Sequence, residues 1–138
     1  MPHRGDMVDE RDELLAELVH ERLAHVTFGG DIWSSLTFDS GARLSLYRWP
    51  VMHRDAQSLS QGDAGYADAL IALVGAEVVA AGASTGRELI VDFDGGVRLS
   101  VDLGGSLEDA SSYDAAVFHG VRSELIGVWT IGELPPTG

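Results

Sequence analysis

The nonapeptide FDSGARLSL at residues 38–46 returns as FDGGVRLSV at residues 93–101, further along the same chain. Six of the nine positions are identical, and the other three exchange one small or aliphatic side chain for another. Self-similarity at a fixed period of this size indicates a repeated supersecondary unit, because one unit alone leaves an apolar face uncovered. The sequence therefore predicts two copies of one unit, packed about a pseudo-twofold axis.

Each copy begins with a helical pattern of apolar residues. Leucine and valine at positions 14, 15, 18 and 19 recur at helical spacing behind an acid-rich segment, which suits the first turn of a helix. This stripe predicts a helix over about 9–21. The same stripe returns at the offset of the hairpins and predicts a second helix between Asp63, a capping residue type, and Gly75, a residue type common at helix C-termini.

Three strands are predicted after each helix. The turn sequences Asp-Ser-Gly at 39–41 and Asp-Gly-Gly at 94–96 tolerate the positive φ of tight hairpins. The segments 42–48 and 97–103 behind them alternate apolar and polar residues, as half-buried antiparallel strands do. The preceding strands are predicted over about 23–28 and 32–38, and over 78–83 and 87–93. A seventh strand is predicted over 124–131, and a polar connecting loop over 54–65.

The predicted fold class is α+β, in a single domain that spans 1–138. The first pseudo-repeat spans 9–53 and the second spans 63–108, each with one helix and a three-stranded antiparallel meander. We expect the six or seven strands to form a curved sheet or a half-open barrel, with the two helices packed against it. The length of 138 residues and the hydrophobic fraction of 45% are those of a chain with one ordinary core.

The composition is strongly acidic, with a formal net charge of −13 at pH 7. A field of this sign repels phosphate backbones, which argues against a nucleic-acid partner. Two interpretations stay open, namely a charge that maintains solubility and an acidic surface that complements a basic protein partner. No apolar run reaches the ~18–20 residues of a membrane span, and the acidic N-terminal segment lacks a secretory core. We therefore expect a cytoplasmic protein that does not contact membranes.

No motif of the chain predicts catalysis, a cofactor or a metal site. His20 and His25 are separated by one position too many for the zinc helix H-E-x-x-H, whose histidines share one helix face. The segment from Asp92 is similar to the start of a calcium loop, but Gly96 and Leu103 stand where oxygen ligands are needed. The chain has no cysteine, which excludes thiolate chemistry. We predict no catalytic residue, no cofactor and no metal ligand.

The differences between the two copies supply the candidate binding residues. Arg43 and Arg98 are shared on the face predicted to point outward, but aromatic residues around the first are replaced by carboxylates around the second. The candidates for partner binding are Trp33, Arg43, Tyr47, Trp49, Asp92, Arg98 and Asp102. Tryptophan and tyrosine beside arginine are favoured in binding hot spots. The alternative is that the three aromatic residues cover the second face of the sheet beneath a helix or a loop.

The repeated helix, meander and F-D-x-G-x-R-L-S-x hairpin between positions 14 and 131 resembles small uncharacterised actinobacterial domains and the immunity proteins of bacterial polymorphic-toxin systems. The resemblance implies a small acidic binder that occludes a toxin or effector, and it assigns no functional residue. The first hypothesis is therefore a non-enzymatic, immunity-like protein-binding domain. The second is a ligand-binding or enzymatic domain in which Arg43 and Arg98 clamp an anion between the repeats. The third is a structural homodimer joined through the aromatic residues.

Overall fold

Most of the structure consists of β-strands. The computed structural model describes residues 14–29, 33–84, 87–104, 114–120 and 126–130. The strands are β1 (Leu23–Gly29), β2 (Trp33–Phe38), β3 (Arg43–Leu46), β4 (Val51–Arg54), β5 (Gln57–Leu59), β6 (Val78–Ser84), β7 (Glu88–Phe93), β8 (Val97–Asp102), β9 (Asp114–His119) and β10 (Ile126–Thr130). Within these ranges a 3-10 helix at Leu15–Leu18 precedes β1, and α1 (Tyr66–Ile71) lies between β5 and β6.

The strands form two antiparallel sheets of five. Sheet 1 has the order β1-β2-β3-β9-β10, and sheet 2 has the order β5-β4-β8-β7-β6. The chain changes sheet after β3 and again after β8, because β4 pairs with β8 and β9 pairs with β3. Each half of the chain therefore supplies three neighbouring strands to one sheet and two strands to the other.

The hairpins β1-β2 and β6-β7 have the same register. Leu23 pairs with Phe38 in the first hairpin, and Val78 pairs with Phe93 in the second. In both edge strands a β-bulge follows this pair directly. The strands β3 and β8 then continue each meander in matching register. Equivalent residues of the two meanders therefore have equivalent neighbours on the same face.

The two halves meet at an isolated antiparallel bridge between Arg22 and Glu77. The backbone N–H of Asp39 donates to the Arg22 carbonyl at 3.0 Å, and the N–H of Asp94 donates to the Glu77 carbonyl at 2.8 Å. The Arg22 guanidinium also donates to the Gly75 carbonyl at 2.9 Å. Each of these two backbone hydrogen bonds lies within one half, and the two bonds are equivalent. The bridge between Arg22 and Glu77 therefore joins equivalent points of the two halves.

One hydrophobic cluster joins the inner faces of both sheets. Leu44 and Leu46 of β3 belong to it together with Leu99 and Val101 of β8, and all four are almost completely buried. Burial of each such side chain contributes about 1.5–3 kcal/mol of transfer free energy. The 3-10 helix packs against β6, and α1 packs against β1. Each helical segment thus covers the edge strand of the other half.

The predicted α+β fold with two helices is wrong, because the structure is mostly β and α1 is its one α-helix within the described ranges. Positions 9–13 of the first predicted helix lie outside these ranges. Leu15 and Leu18 are buried, as the apolar stripe predicts, but Val19 is extended and His20 has a φ of 77°, so the helical backbone ends at Leu18, before the predicted end at about 21. The helix α1 covers only the middle of the second prediction, 63–75. Nowhere in the described ranges is a helix both long enough and apolar enough to cross a membrane.

The expected curved sheet or half-open barrel is also wrong, since two sheets are present and contain strands that the local pattern does not predict. β4 and β5 overlap the segment predicted to be a loop, and β9 lies in a segment without a clear pattern. β4 has four residues and β5 has three, and β5 is mostly polar. The extended conformation of β4 and β9 depends on pairing with β8 and β3, which are distant in sequence. β10 lies within the predicted strand 124–131.

Candidate functional site

The side-chain alternation of the strands places the shared arginines on the outer faces of different sheets. Leu44 and Leu99 face the core, so Arg43 and Arg98 beside them point outward and are exposed. The cavity beside Arg43 shares no lining residue with the cavities beside Arg98. The geometry therefore does not bring the two arginines together as a clamp for one ligand.

On each outer face, residues directly opposite one another on neighbouring strands form a row across the sheet, and the row through Arg43 is equivalent to the row through Arg98. The Arg43 row crosses β1, β2, β3 and β9 and contains His25, Thr37, Arg43 and His119. The Arg98 row crosses β6, β7, β8 and β4 and contains Ala80, Asp92, Arg98 and His53. Both rows have arginine opposite a histidine. They differ on the other side of the arginine, where Asp92 occupies the position equivalent to Thr37.

Arg98 is neutralised by a carboxylate within its own sheet. Its Nε donates to Asp92 Oδ1 at 2.7 Å, and its Nη2 donates to Asp92 Oδ2 at 3.1 Å. The pKa of Arg98 is raised above its ordinary value, mainly by this bidentate hydrogen bond. The negative charges of Asp92 and Glu88 raise the pKa of Arg98 further. In the same row His53 Nε2 lies 2.9 Å from the Ser100 hydroxyl. The polar groups of the Arg98 row therefore already have partners.

Arg43 has no such carboxylate. In the part of the chain that the structure describes, no acidic side chain lies within ion-pair distance of its guanidinium and no side-chain hydrogen bond joins it. Thr37 directly opposite carries a hydroxyl in place of the carboxylate. The guanidinium is exposed, so its donors are available to solvent or to a ligand.

A cavity of about 310 Å³ opens beside this arginine. Its lining is Thr27, Ser35, Thr37, Arg43, Ser45 and Tyr47. Ser35 is only 3% exposed, although it lies on the outer face, and its Oγ has no hydrogen-bond partner among the described residues. A buried hydroxyl without a partner is costly, by about 1–3 kcal/mol. Among its described residues, the lining of this cavity contains hydroxyl groups and one cation and no carboxylate.

The outer face of sheet 2 combines small residues on β6 with a pair of carboxylates. A cavity of about 290 Å³ lies over β6, where the outward residues Ala80, Gly82 and Ser84 have small side chains or none. Glu88 borders it at one end and lies directly opposite Asp102 on β8. Carboxylates in directly opposite positions of antiparallel strands repel one another. This end of the face therefore favours an added cation.

The two carboxylates are only partly compensated. Arg48 Nη1 lies 3.6 Å from Asp102 Oδ2, and it donates to the backbone carbonyls of Asp102 and Gly104. Among the described residues no cationic group forms an ion pair with Glu88. The Glu88–Asp102 pair therefore keeps a net negative charge at the surface.

The structure does not gather the three aromatic candidates into one described patch. Trp49 is half-buried against the core, with its ring centroid 6.2 Å from that of Phe28 and 6.3 Å from that of Tyr66. Tyr47 is half-buried and lines the cavity beside Arg43. The side chain of Trp33, at the start of β2, lies outside what the structure describes. Trp49 therefore packs against the core, beside Phe28 and Tyr66.

Several residues of the two faces escape sequence reasoning. His53 and His119 lie opposite the shared arginines, in the matching tripeptides VMH at 51–53 and VFH at 117–119. The spacing of these tripeptides differs from that of the two hairpins, so the repeat itself does not reveal them. Ser35 and Glu88 are likewise recognisable only when burial and the opposite strand are known.

No protein-family model, no curated protein and no solved structure matches the chain. Among the described residues no three histidine, cysteine or acidic side chains are grouped so as to hold a metal ion.

Proposed function

We propose that the chain is a non-enzymatic, acidic protein-binding domain that holds an extended basic segment of a partner protein on the outer face of sheet 2. The observation that carries this proposal is the Glu88–Asp102 pair, two directly opposite carboxylates beside a groove of small residues. An arginine or lysine from a partner would lie between the carboxylates and relieve their repulsion. An immunity-like inhibitor of a basic toxin or effector in the cytoplasm is the specific form that we propose.

The edge of sheet 2 supports an extended occupant. β6 ends the sheet. At the start of the strand its outer backbone groups are occupied, because the Val78 N–H donates to the Glu21 carbonyl and the His20 N–H donates to the Val78 carbonyl, both at 2.8 Å. Over 79–83 the described residues add no backbone hydrogen bond outside the pairing with β7. The strand from Val78 to Ser84 contains no charged residue and no proline, the residue types that usually protect an edge from further pairing. An added peptide strand would use the backbone groups of this edge for affinity and the carboxylates nearby for specificity.

The charge of the whole protein supports a basic partner. A net charge of −13 accelerates the approach of a cationic protein and disfavours acidic ones. The effect decreases at higher ionic strength, because counterions screen charges beyond about 10 Å at 0.1 M salt. Binding of the proposed partner therefore weakens when salt is added.

The test uses a fluorescein-labelled peptide of alternating arginine and threonine, with a glutamate–threonine peptide and a backbone N-methylated arginine–threonine peptide as controls. Fluorescence anisotropy measures the dissociation constant at low and at physiological ionic strength. We expect saturable binding of the first peptide only, because the second has the wrong charge and the third cannot pair with a strand edge. Glu88→Gln with Asp102→Asn is expected to weaken binding about tenfold, corresponding to ~1.4 kcal/mol.

Asp68→Asn is the control variant for charge, because Asp68 is exposed on α1 and its loss also removes one negative charge. It is compared with Glu88→Gln alone. Equal weakening by the two variants would show that net charge, and not this face, attracts the peptide. Sedimentation at several concentrations distinguishes the homodimer alternative, since a self-associated protein with peptide-independent mass would contradict the proposal.

A further inference from the structure

We propose that the outer face of sheet 1 binds an oxyanion, a phosphate or carboxylate group, at Arg43. The outer face of sheet 1 carries an arginine and hydroxyl groups where that of sheet 2 carries carboxylates, and its occupation does not depend on a protein partner. The site consists of the Arg43 guanidinium and the hydroxyl groups that line the 310 Å³ cavity beside it.

The protein contains an example of the interaction in its other half. Arg98 stands at the position equivalent to Arg43 and binds the carboxylate of Asp92 through two hydrogen bonds. At the equivalent position of sheet 1 the carboxylate is replaced by the hydroxyl of Thr37. The backbone arrangement that presents an oxyanion to Arg98 is therefore repeated around Arg43, but within the described residues the oxyanion itself is missing there. A ligand can supply it.

The surroundings of Arg43 are suited to an acceptor-only ligand. The hydroxyls of Thr27, Thr37, Ser45 and Tyr47 can all donate hydrogen bonds, and the guanidinium has five N–H donors but no acceptor. Arginine binds carboxylate and phosphate bidentately, so the ligand would be oriented as well as attracted. Among the side chains described in the lining no carboxylate competes for the arginine.

Ser35 gives a second, independent observation. Ser35 is one of the residues that line the cavity, it is only 3% exposed, and its buried Oγ has no hydrogen-bond partner among the described residues. Such a group is expected to have a partner in the functional state, because a buried polar atom without one is destabilising. At the equivalent position of sheet 2 the chain has Ile90 instead. Ser34 Oγ, on the inner side of the same strand, is also buried without a partner among the described residues, and of the two serines only Ser35 is a lining residue of the cavity.

The cavity limits the size of the ligand. A volume of about 310 Å³ is near the lower end of the ~300–1,000 Å³ typical of small-molecule pockets. It accommodates a phosphate or carboxylate group with a small attached body. Because the net charge of −13 opposes anion binding at long range, recognition depends on these short-range hydrogen bonds.

The test is an NMR titration of the 15N-labelled full chain with inorganic phosphate and, separately, with malonate. Sodium chloride at matched ionic strength corrects for general screening. We expect the Arg43 Nε–Hε signal and the amide signals of β2 and β3 to shift and saturate with phosphate, with malonate or with both. Saturation with one probe alone identifies the ligand class as phosphate or as carboxylate. No saturable shift with either probe would overturn the proposal.

Two variants locate the site, and one provides the matched control. Arg43→Gln is expected to weaken binding at least tenfold. Thr37→Asp is expected to do the same with the arginine retained, because it introduces the carboxylate that neutralises Arg98 in sheet 2. Arg98→Gln removes the same charge at the equivalent position and is expected to change the dissociation constant less than twofold. Equal loss in Arg43→Gln and Arg98→Gln would contradict a site on sheet 1. Binding of the basic peptide to sheet 2 is measured in the same variants, so the two proposals fail separately.

Discussion

Arg43 and Arg98 occupy equivalent places in two sheets, each directly opposite a histidine, but only Arg98 is bound by a carboxylate of its neighbouring strand. The difference comes from one residue, because Thr37 stands where the other half has Asp92. One backbone framework thus presents a neutralised arginine on an acidic face and an arginine surrounded by hydroxyls on another. The two faces can bind groups of opposite charge.

Asp92→Thr is expected to free Arg98 without unfolding the protein, because threonine occupies the equivalent place in β2. Arg98 Nε lies 2.7 Å from Asp92 Oδ1, to which it donates. Without this hydrogen bond the Nε–H proton is expected to resonate further upfield and to exchange faster with water. NMR spectra of the arginine side chains report this directly. The Arg43 signal serves as an internal control and stays unchanged. An unshifted Arg98 signal would contradict the assigned ion pair.

Leu44→Ala and Leu99→Ala are expected to have similar effects, since each removes a fully buried side chain at the same place in one shared cluster. Each should lower the free energy of unfolding by about 2–5 kcal/mol, from lost transfer free energy and the cavity left behind. Urea denaturation followed by far-UV circular dichroism and tryptophan fluorescence measures the change. Val79→Ala is the control, because Val79 is 52% exposed and its loss should cost about 0.5 kcal/mol or less. Separate transitions for the two sheets would contradict a single core.

His20 and Gly75 occupy equivalent places in the two halves, and both have left-handed backbone, with φ of 77° and 96°. An L residue is strained there and glycine is not. His20→Gly should therefore be more stable than His20→Ala by about 1 kcal/mol, because both lose the contact of the ring with Glu77 but only alanine retains the strain. Urea midpoints of the two variants give the difference. Equal midpoints would show that this backbone conformation is not maintained in solution.

Tyr66 is expected to make the protein sensitive to alkali. Its hydroxyl donates to the Pro50 carbonyl, and burial raises its pKa from 10.0 to about 12. The unfolded chain releases this proton at lower pH than the folded chain, so the contribution to stability is complete below pH 10 and is lost as the pH rises towards 12. Urea midpoints measured from pH 8 upward should fall more steeply for the wild type than for Tyr66→Phe. Parallel curves for the two proteins would contradict this role.

The Tyr66→Phe comparison also measures the hydrogen bond itself. At neutral pH the variant leaves the Pro50 carbonyl without this donor, which should lower the free energy of unfolding by about 1 kcal/mol. The edge-to-face contact between Tyr66 and Trp49 is retained, because phenylalanine keeps the ring. A much larger loss would indicate that the hydroxyl holds more of the structure than this one bond.

The elements that depend on contacts between neighbouring residues could be predicted from the sequence, whereas those that depend on distant contacts could not. The strands around the Asp-Gly turns lie where the alternation of residues predicts them, because turn type and side-chain period are properties of adjacent residues. The helical stripe correctly indicated that Leu15 and Leu18 are buried, but it also included Val19, where the backbone is already extended. The ring contacts of Trp49 with Phe28 and Tyr66 could not be predicted from the sequence, since these residues are far apart in the chain.

The amino-acid sequence by itself determined the two FDxGxRLSx hairpins, the side chains that alternate inward and outward from them, and the acidic charge of the chain. Only the tertiary structure decided that β4 and β9 each pair with the three-stranded meander of the other half, because strand pairing over such separations leaves no local signal. This exchange places His119 opposite Arg43 and His53 opposite Arg98. The chemistry of each outer face depends on residues brought from both halves, and for that reason it emerges only once the chain has folded.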